Sequence, residues 1–412
     1  MRHHLTRTGK VLIGAIIIVL IGLGWVINYS TSQTLALAES LQFRRMLVAA
    51  QPETDTYRFF FVTNRSAMDS TGLPEAMFSS ERAPGMRFGT FDTSIEPSLG
   101  IGMLINPSDW FQNEEIQLKR VEIRRQDEFL SELRRQLEGT PSRGLIININ
   151  GFRERFPSAL RKTAFLAHVL DLNAPILVFD WPGDQGSNPF GYRRAQGIAR
   201  ESGAELAELL NLITAELAPD RLSIIANSMG GEVVVEAFAA LAADGEFTGL
   251  KPAVSHVVLT APDVSHAEFG ERFEDHFRRL ADNMTVYVSS NDRALLMSRL
   301  LNRERRLGES TAHPEMLAQL DNNGDFLAAE ADQGVEALQV YDMLEPDDPS
   351  ITLVDLTPVN RTRNFHNFSL ETPEYFDDLF LRLTGNERPR TRALYSVRQA
   401  NGTQYWVLTR GR

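Results

Sequence analysis

Between Gly144 and Pro358 the chain repeats one alternation, a short apolar, β-branched run followed by sequence with a helical rhythm. "GLIININ" (Gly144 to Asn150) leads into helical sequence from about Ser158. "APILVFDW" (Ala174 to Trp181) leads into a helix around Tyr192 to Leu212, and "RLSIIAN" (Arg221 to Asn227) into Gly230 to Leu241. "VSHVVLTAPD", "MTVYVSSND" and "ITLVDLTP" follow as three more strands. These runs are short, β-branched and largely apolar on both faces, as the central strands of a helix-wrapped parallel sheet are. "TYRFFFVTNR" (Thr56 to Arg65) opens the β-prone sequence, and strand-like and helical runs alternate to about Leu383. The pattern predicts an α/β fold over 56–385, mostly parallel, with helices on both sheet faces.

Composition removes several chemistries. The 412 residues contain no cysteine, so a thiol nucleophile, a disulfide framework and a thiolate metal site are excluded. The net charge of -12 argues against general nucleic-acid binding. That charge is unevenly spread. Glu304 to Asp348 holds twelve Asp/Glu against two Arg, a net of -10, whereas Arg388 to Arg412 holds six Arg and no acid. The acidic stretch 304–348 reads either as a lid over a pocket or as a solvated insertion. The basic tail 386–412, "ALYSVRQANGTQYWVLTRGR", reads as a hairpin turning at Asn401-Gly402.

The N-terminus carries "VLIGAIIIVLIGLGWVI", Val11 to Ile27, which as a helix would be about 26 Å long. Arg2, Arg7 and Lys10 precede it and no acid occurs before Glu39. The positive-inside rule then leaves the N-terminus in the cytoplasm and the chain after Asn28 across the membrane. Residues 1–29 therefore read as a single-pass anchor and 30–55 as a polar tether containing the amphipathic "LALAESLQFRRMLVAA". The rival is a signal peptide cleaved after Ala36-Leu37-Ala38, although that site lies well beyond the apolar run.

In "IIANSMGGEVVVEAF" (Ile224 to Phe238) Ser228 falls where a strand gives way to a helix. A nucleophile elbow needs small residues two before and two after the serine, because strand and helix backbones nearly touch. Ala226 and Gly230 fill those places; the pattern usually has glycine at both. The competing reading is a serine N-cap. Upstream, "ININGFRERF" ends an apolar strand in an Asn-Gly-Phe turn, which would let the Phe152 amide share an oxyanion with that of Met229; a plain turn is the alternative. On such an elbow the acid and then the histidine follow the serine in sequence. Of the eight histidines only His313 and His366 follow both aspartates that end candidate strands. His313 has no strand leading to it, whereas His366 follows "ITLVDLTP" and precedes an amphipathic helix. For the acid, Asp292 in "VYVSSNDRALL" ends the penultimate strand and is preferred, and Asp263 in "LTAPDVS" is the alternative. Either would also serve as a helix cap. Asp180 in "FDWPGDQGS" precedes the serine and suits a loop-stabilising or substrate-side role.

"TNR", "NGF", "DWPGDQG", "NSMGG", "APDV", "YVSSNDRALLMSRLL" and "FHNFSL", in this order, resemble a bacterial α/β-hydrolase-fold family of formerly unknown function grouped with the esterases and lipases. The resemblance runs from about Tyr57 to Leu383. It implies an α/β-hydrolase fold and a serine hydrolase whose Ser-Asp-His triad is carried onto Ser228, Asp292 and His366, with no metal or organic cofactor. The family usually has histidine before both the oxyanion glycine and the serine, where this chain has Asn150 and Asn227. The expectation is a membrane-anchored hydrolase of carboxylic esters, acting on a small-molecule or lipid-like acyl substrate. Its domain would lie on the periplasmic side of a bacterial inner membrane. The alternative is a membrane-tethered interaction protein that kept the fold and lost turnover. Oligomeric state is not legible in the sequence. A reporter active only outside the cytoplasm, fused after Arg412, is expected to be active, with the protein resisting alkaline extraction. Activity of a cytoplasmic reporter would overturn the topology, and release of a soluble mature chain would favour cleavage near Ala38.

Overall fold

Eight adjacent strands run parallel through the centre of one mixed sheet, in the order β13-β11-β9-β8-β7-β5-β6-β2, with antiparallel strands at both ends. The computed structural model describes residues 46–51, 53–68, 73–96, 115–140, 142–244, 254–309, 339–341, 351–362, 366–385, 392–398 and 404–409. Its strands are β1 (Ala50–Gln51), β2 (Thr56–Ala67), β3 (Phe78–Ile95), β4 (Ile116–Arg124), β5 (Gly144–Ile149), β6 (Ile176–Asp180) and β7 (Arg221–Asn227). They continue with β8 (Val254–Thr260), β9 (Ala281–Val288), β10 (Gln339–Tyr341), β11 (Ile351–Asp355), β12 (Leu394–Arg398) and β13 (Gln404–Leu408). The main helices are α1 (Gln126–Glu138), α2 (Phe156–Leu170), α3 (Pro189–Glu216), α4 (Gly230–Asp244), α5 (Glu274–Leu280), α6 (Arg293–Asn302) and α7 (Pro373–Leu383).

The central strands obey the two-residue period even though they are largely apolar on both faces. Leu145, Ile147 and Ile149 of β5 join one core cluster with Phe129 and Leu133 of α1, Leu206 and Leu210 of α3 and Val233 and Val234 of α4. Ile146 of the same strand joins the opposite cluster with Leu160 and Phe165 of α2 and Phe376 and Leu379 of α7. Each face thus buries its own helix layer, the physical reason these strands carry no polar face. Where a polar side chain does occur, it is matched: Asn148 of β5 donates from Nδ2 to Thr163 Oγ1 of α2 at 2.8 Å.

Two boundaries differ from the sequence reading. Residues 46–55, assigned there to the tether, belong to the folded unit, which starts at Met46. Met46 and Ala49 are each 2% exposed, the Met46 amide donates to Asp171 Oδ1 at 3.0 Å, and β1 pairs with β2. Met46 and Ala49, at the end of the amphipathic stretch, pack into the domain. At the other end β12 and β13 pair antiparallel, and β13 extends the central sheet in parallel with β11, so these strands of the segment 386–412 belong to the domain. Tyr405, Trp406, Val407 and Leu408 are all buried, so their apolar content demands that placement. The opening antiparallel meander β2-β3-β4 was not resolved into strands from sequence; Pro84 and Gly85 inside β3, and its register shifts against β2, interrupt the pattern a strand would show. The anchor 1–29, and the acidic stretch except 304–309 and 339–341, lie outside the described residues. No helix among the described residues is long and apolar enough to cross a membrane.

A buried ion pair secures the C-terminal segment. Arg392 Nε and Nη2 donate to Asp378 Oδ1 and Oδ2 at 2.7 and 2.9 Å, and Tyr287 Oη of β9 donates to the same carboxylate. Arg392→Ala leaves the Asp378 carboxylate buried without its cation and is expected to lower stability by about 3–5 kcal/mol, read from the midpoint of urea unfolding.

Candidate active site

The turn from β7 to α4 is set by steric crowding. Ser228 has φ +53°, in the left-handed region that costs a residue with a Cβ roughly 1–2 kcal/mol. A Cβ on Gly230 would lie 2.7 Å from the Asn150 carbonyl oxygen and 2.8 Å from that of Ile149, and one on Gly151 would lie 2.9 Å from Ser228 Cβ. The two loops after β5 and β7 therefore meet backbone to backbone. This contact makes glycine necessary after the serine, whereas Ala226 sits inside the core, fully buried. Further bonds hold the turn: the Ser228 amide donates to Thr260 O at 2.9 Å, and its carbonyl accepts from the Asp263 and Gly231 amides at 3.1 and 3.0 Å. Ser228 is not merely a cap, since its hydroxyl faces a histidine.

His366 Nε2 lies 3.1 Å from Ser228 Oγ, and His366 Nδ1 lies 2.7 Å from Asp292 Oδ2. With Nδ1 donating to Asp292, the proton sits on Nδ1, which leaves Nε2 to accept from the serine hydroxyl. The three side chains come from the turn after β7, the turn after β9 and the loop after β11, neighbouring C-terminal edges of the parallel strands. That is where ligands of open α/β sheets bind. Two contacts hold the histidine loop there. Asn360 Nδ2 donates to Ser289 Oγ at 2.9 Å, and Asn227 Nδ2 donates to Ser369 Oγ at 3.0 Å. The asparagine before the serine thus ties the elbow to the turn that follows His366.

The two candidate acids have different partners. Asp292 is fully buried and does two jobs: Oδ2 meets His366, while Oδ1 caps α6 by accepting from the Ala294 and Leu295 amides at 2.9 and 3.0 Å. Asp263 does not reach the imidazole. Its Oδ1 accepts from Arg306 Nε at 2.7 Å and from Ser298 Oγ, and its Oδ2 accepts from Tyr192 Oη at 2.8 Å. Arg306, 1% exposed, comes from the start of the stretch 304–348 read as an acidic insertion, and residues 306–309 are buried in the domain. The run "RERR" was the visible signal, submerged in the net count. His313 lies outside the described residues. Burial works against the imidazolium of His366, but the charge and hydrogen bond of Asp292, helped by Asp263 at longer range, prevail; its pKa is raised above the usual 6.5.

The Gly151-Phe152 turn is clamped from below. Trp181 Nε1 donates to Asn150 O at 2.8 Å and the Arg153 amide to Gly183 O at 2.9 Å. Arg65, 1% exposed, donates from Nε to Asp180 Oδ2 at 2.7 Å and from Nη2 to Glu154 O and Trp181 O at 2.8 and 2.9 Å. One guanidinium thereby joins the end of β2 to the loops after β5 and β6, and Asp180 has the loop-stabilising place. Sequence reasoning noted "TNR" only as a motif. The amides of Phe152 and Met229 donate to no other protein group among the described residues.

Residues 125–341, just over half of the chain, match the family model described as alpha/beta hydrolase of unknown function (DUF900). The chain belongs to this family. No curated protein matches it in sequence. Among solved structures it is similar to the zinc-bound form of a cold-adapted esterase from an Arctic intertidal metagenomic library, at 12% identity and TM-score 0.26, covering 61% of this chain and 79% of that one. A lipase-esterase related protein from Clostridium acetobutylicum matches at 14% identity and TM-score 0.21, covering 40% and 83%. A thermophilic esterase from the planctomycete Thermogutta terrifontis matches at 15% and 0.23, covering 39% and 66%. Likeness at these values bears on neither reaction nor substrate.

Asp292→Asn is expected to lower the His366 titration midpoint, followed by imidazole NMR, because the charge that outweighs burial is gone. The sign for stability follows: a raised native pKa contributes stability that is present below the ordinary value and is lost as pH rises through the native one. Asp263→Asn should leave that midpoint nearly in place and instead cost about 3–5 kcal/mol of stability, since Arg306 loses its buried counter-charge.

Proposed function

We propose that this protein is a serine hydrolase of carboxylic esters that works through an acyl-enzyme. The observation that carries the reading is the single imidazole bridging Ser228 Oγ and the buried Asp292 carboxylate. Ser228 Oγ attacks the acyl carbonyl while His366 Nε2 takes its proton, and the amides of Phe152 and Met229 receive the oxyanion. Collapse of the tetrahedral adduct expels the alcohol, which leaves with the proton from His366. Water then enters, His366 takes one of its protons, and the carboxylic acid departs as Ser228 is reprotonated. Asp292 holds the imidazole in the accepting tautomer and balances the imidazolium.

The second part of the proposal concerns place. The run Val11 to Ile27, with Arg2, Arg7 and Lys10 before it, supports a single-pass anchor in a bacterial inner membrane with the hydrolase domain on the periplasmic side. Substrates are then small or lipid-like acyl compounds reachable from that side.

Ser228→Ala is expected to lower turnover of short activated esters by roughly 10³-fold or more and to abolish labelling by a fluorophosphonate, with the unfolding midpoint retained. Turnover at the parent rate would refute the mechanism, and an unlabelled, inactive parent would favour a non-catalytic interaction protein. Because the base must be neutral, kcat/KM should fall with decreasing pH through a midpoint above 6.5, and Asp292→Asn should move that limb downward while lowering kcat by roughly 10⁴.

A further inference from the structure

Four of the nine large apolar side chains exposed among the described residues occur on two adjoining helical segments beside the serine: Phe190 (83%), Leu296 (44%), Met297 (58%) and Leu300 (71%). Phe190 is in the first turn of α3, and the other three are on α6, the helix that Asp292 caps. Scattered exposed apolar residues need no explanation, but this concentration does. Both segments turn one residue inward to the same buried carboxylate, since Tyr192 and Ser298 each hydrogen-bond Asp263. At 3.6 residues per turn, positions two away from such a residue lie on the opposite side of the helix. Phe190, two before Tyr192, and Leu296 and Leu300, two to either side of Ser298, therefore face outward.

The same outer faces are basic. Arg193 and Arg194 follow Phe190 by three and four residues and so share its side of α3; Arg299 and Arg303 lie on or just beyond α6. Arg193, Arg194 and Arg303 have no ion-pair partner among the described residues, and Arg299 has only Glu309 at 3.4 Å. Residues 186–194 contain no acid, and in 293–304 the one acid is Glu304. Within a chain of net charge -12 this is a local reversal of sign, combined with exposed aromatic and aliphatic side chains. A protein partner would be met by any apolar patch. Apolar side chains flanked by unpaired arginines are instead the composition that an anionic lipid interface selects, with the apolar groups among the acyl chains and the guanidiniums at the phosphates.

We propose that Phe190, Leu296, Met297 and Leu300, flanked by these arginines, dock onto an anionic bilayer surface. The docked face adjoins the serine site: α6 is capped by Asp292, and the Tyr192 ring packs edge-on against Phe152 with centroids 5.6 Å apart. Docking would thus present the site to acyl groups at the lipid surface, which deepens the hydrolase reading to lipid-like esters. The inference rests on that reading only for its use, and its test does not depend on turnover.

The absence of native cysteine makes a single introduced thiol a unique label. Met297→Cys, and separately Leu300→Cys, in the full chain would carry an environment-sensitive fluorophore and be reconstituted in vesicles of phosphatidylethanolamine with phosphatidylglycerol, or of phosphatidylcholine alone. The expected result is a blue-shifted label protected from iodide in the anionic vesicles and open to it in the neutral ones. Neutralising Arg193 and Arg194 to Gln, or raising salt, should weaken docking, by about fivefold for each arginine removed. A label equally open to iodide in both lipids overturns the proposal. So does a label shielded to the same extent in anionic lipid, neutral lipid and detergent, which would mean that another part of the chain or a second copy covers the face. Repeating the measurement with Ser228→Ala separates the two claims, because docking should survive where hydrolysis does not.

Discussion

The contact between two backbone turns, Gly151 against Ser228 and Gly230 against the carbonyls of Asn150 and Ile149, is the constraint on which the rest of the site depends. It lets the loop after β5 lie beside the loop after β7. It also imposes cost: Ser228 and Arg153 both have positive φ. Such conformations persist only where the surroundings over-determine them. Here the Ser228 amide and carbonyl are bonded to β8 and its following loop, and the Arg153 amide is bonded to Gly183.

Around that contact, buried charges serve as fasteners between loops instead of as reacting groups. Arg65 joins the end of β2 to the loops after β5 and β6, Arg306 holds Asp263 and the turn after β8, and Arg392 holds Asp378 of α7. Each guanidinium has several acceptors in fixed directions, which suits it to joining irregular backbone that cannot form ladders. Asp292 differs from the acids in these clusters. It is paired with an imidazole that can gain and lose a proton, and its second oxygen is held in place by helix amides.

The same arrangement links chemistry to surface. Asp263 holds Tyr192 of α3 and Ser298 of α6 from beneath, and the far sides of those helices carry the exposed apolar and basic residues. One buried carboxylate therefore contributes long-range charge to His366 and also sets the helices that flank the site.

The central sheet was legible in the sequence because strands covered on both faces must be largely apolar, and "GLIININ", "RLSIIAN" and their neighbours are short, β-branched runs of that kind, each followed by helical sequence. The sharp turn at Ser228 was legible because close backbone approach restricts residue type locally, whereas the order of serine, aspartate and histidine was an expectation drawn from the pattern that accompanies such a turn. What tertiary structure alone decided is which distant groups meet. Asp292 and Asp263 end strands in the same way and differ only in that one faces His366 and the other faces Arg306, a cation hidden within a stretch whose net charge is negative. The placement of Met46 and of the Leu394 to Leu408 hairpin in the domain, and the buried clamp of Arg65, likewise arise from pairings across more than a hundred residues or across strand edges. Local composition carries no record of such partners, because a hydrogen bond or ion pair depends on where two side chains end up in space.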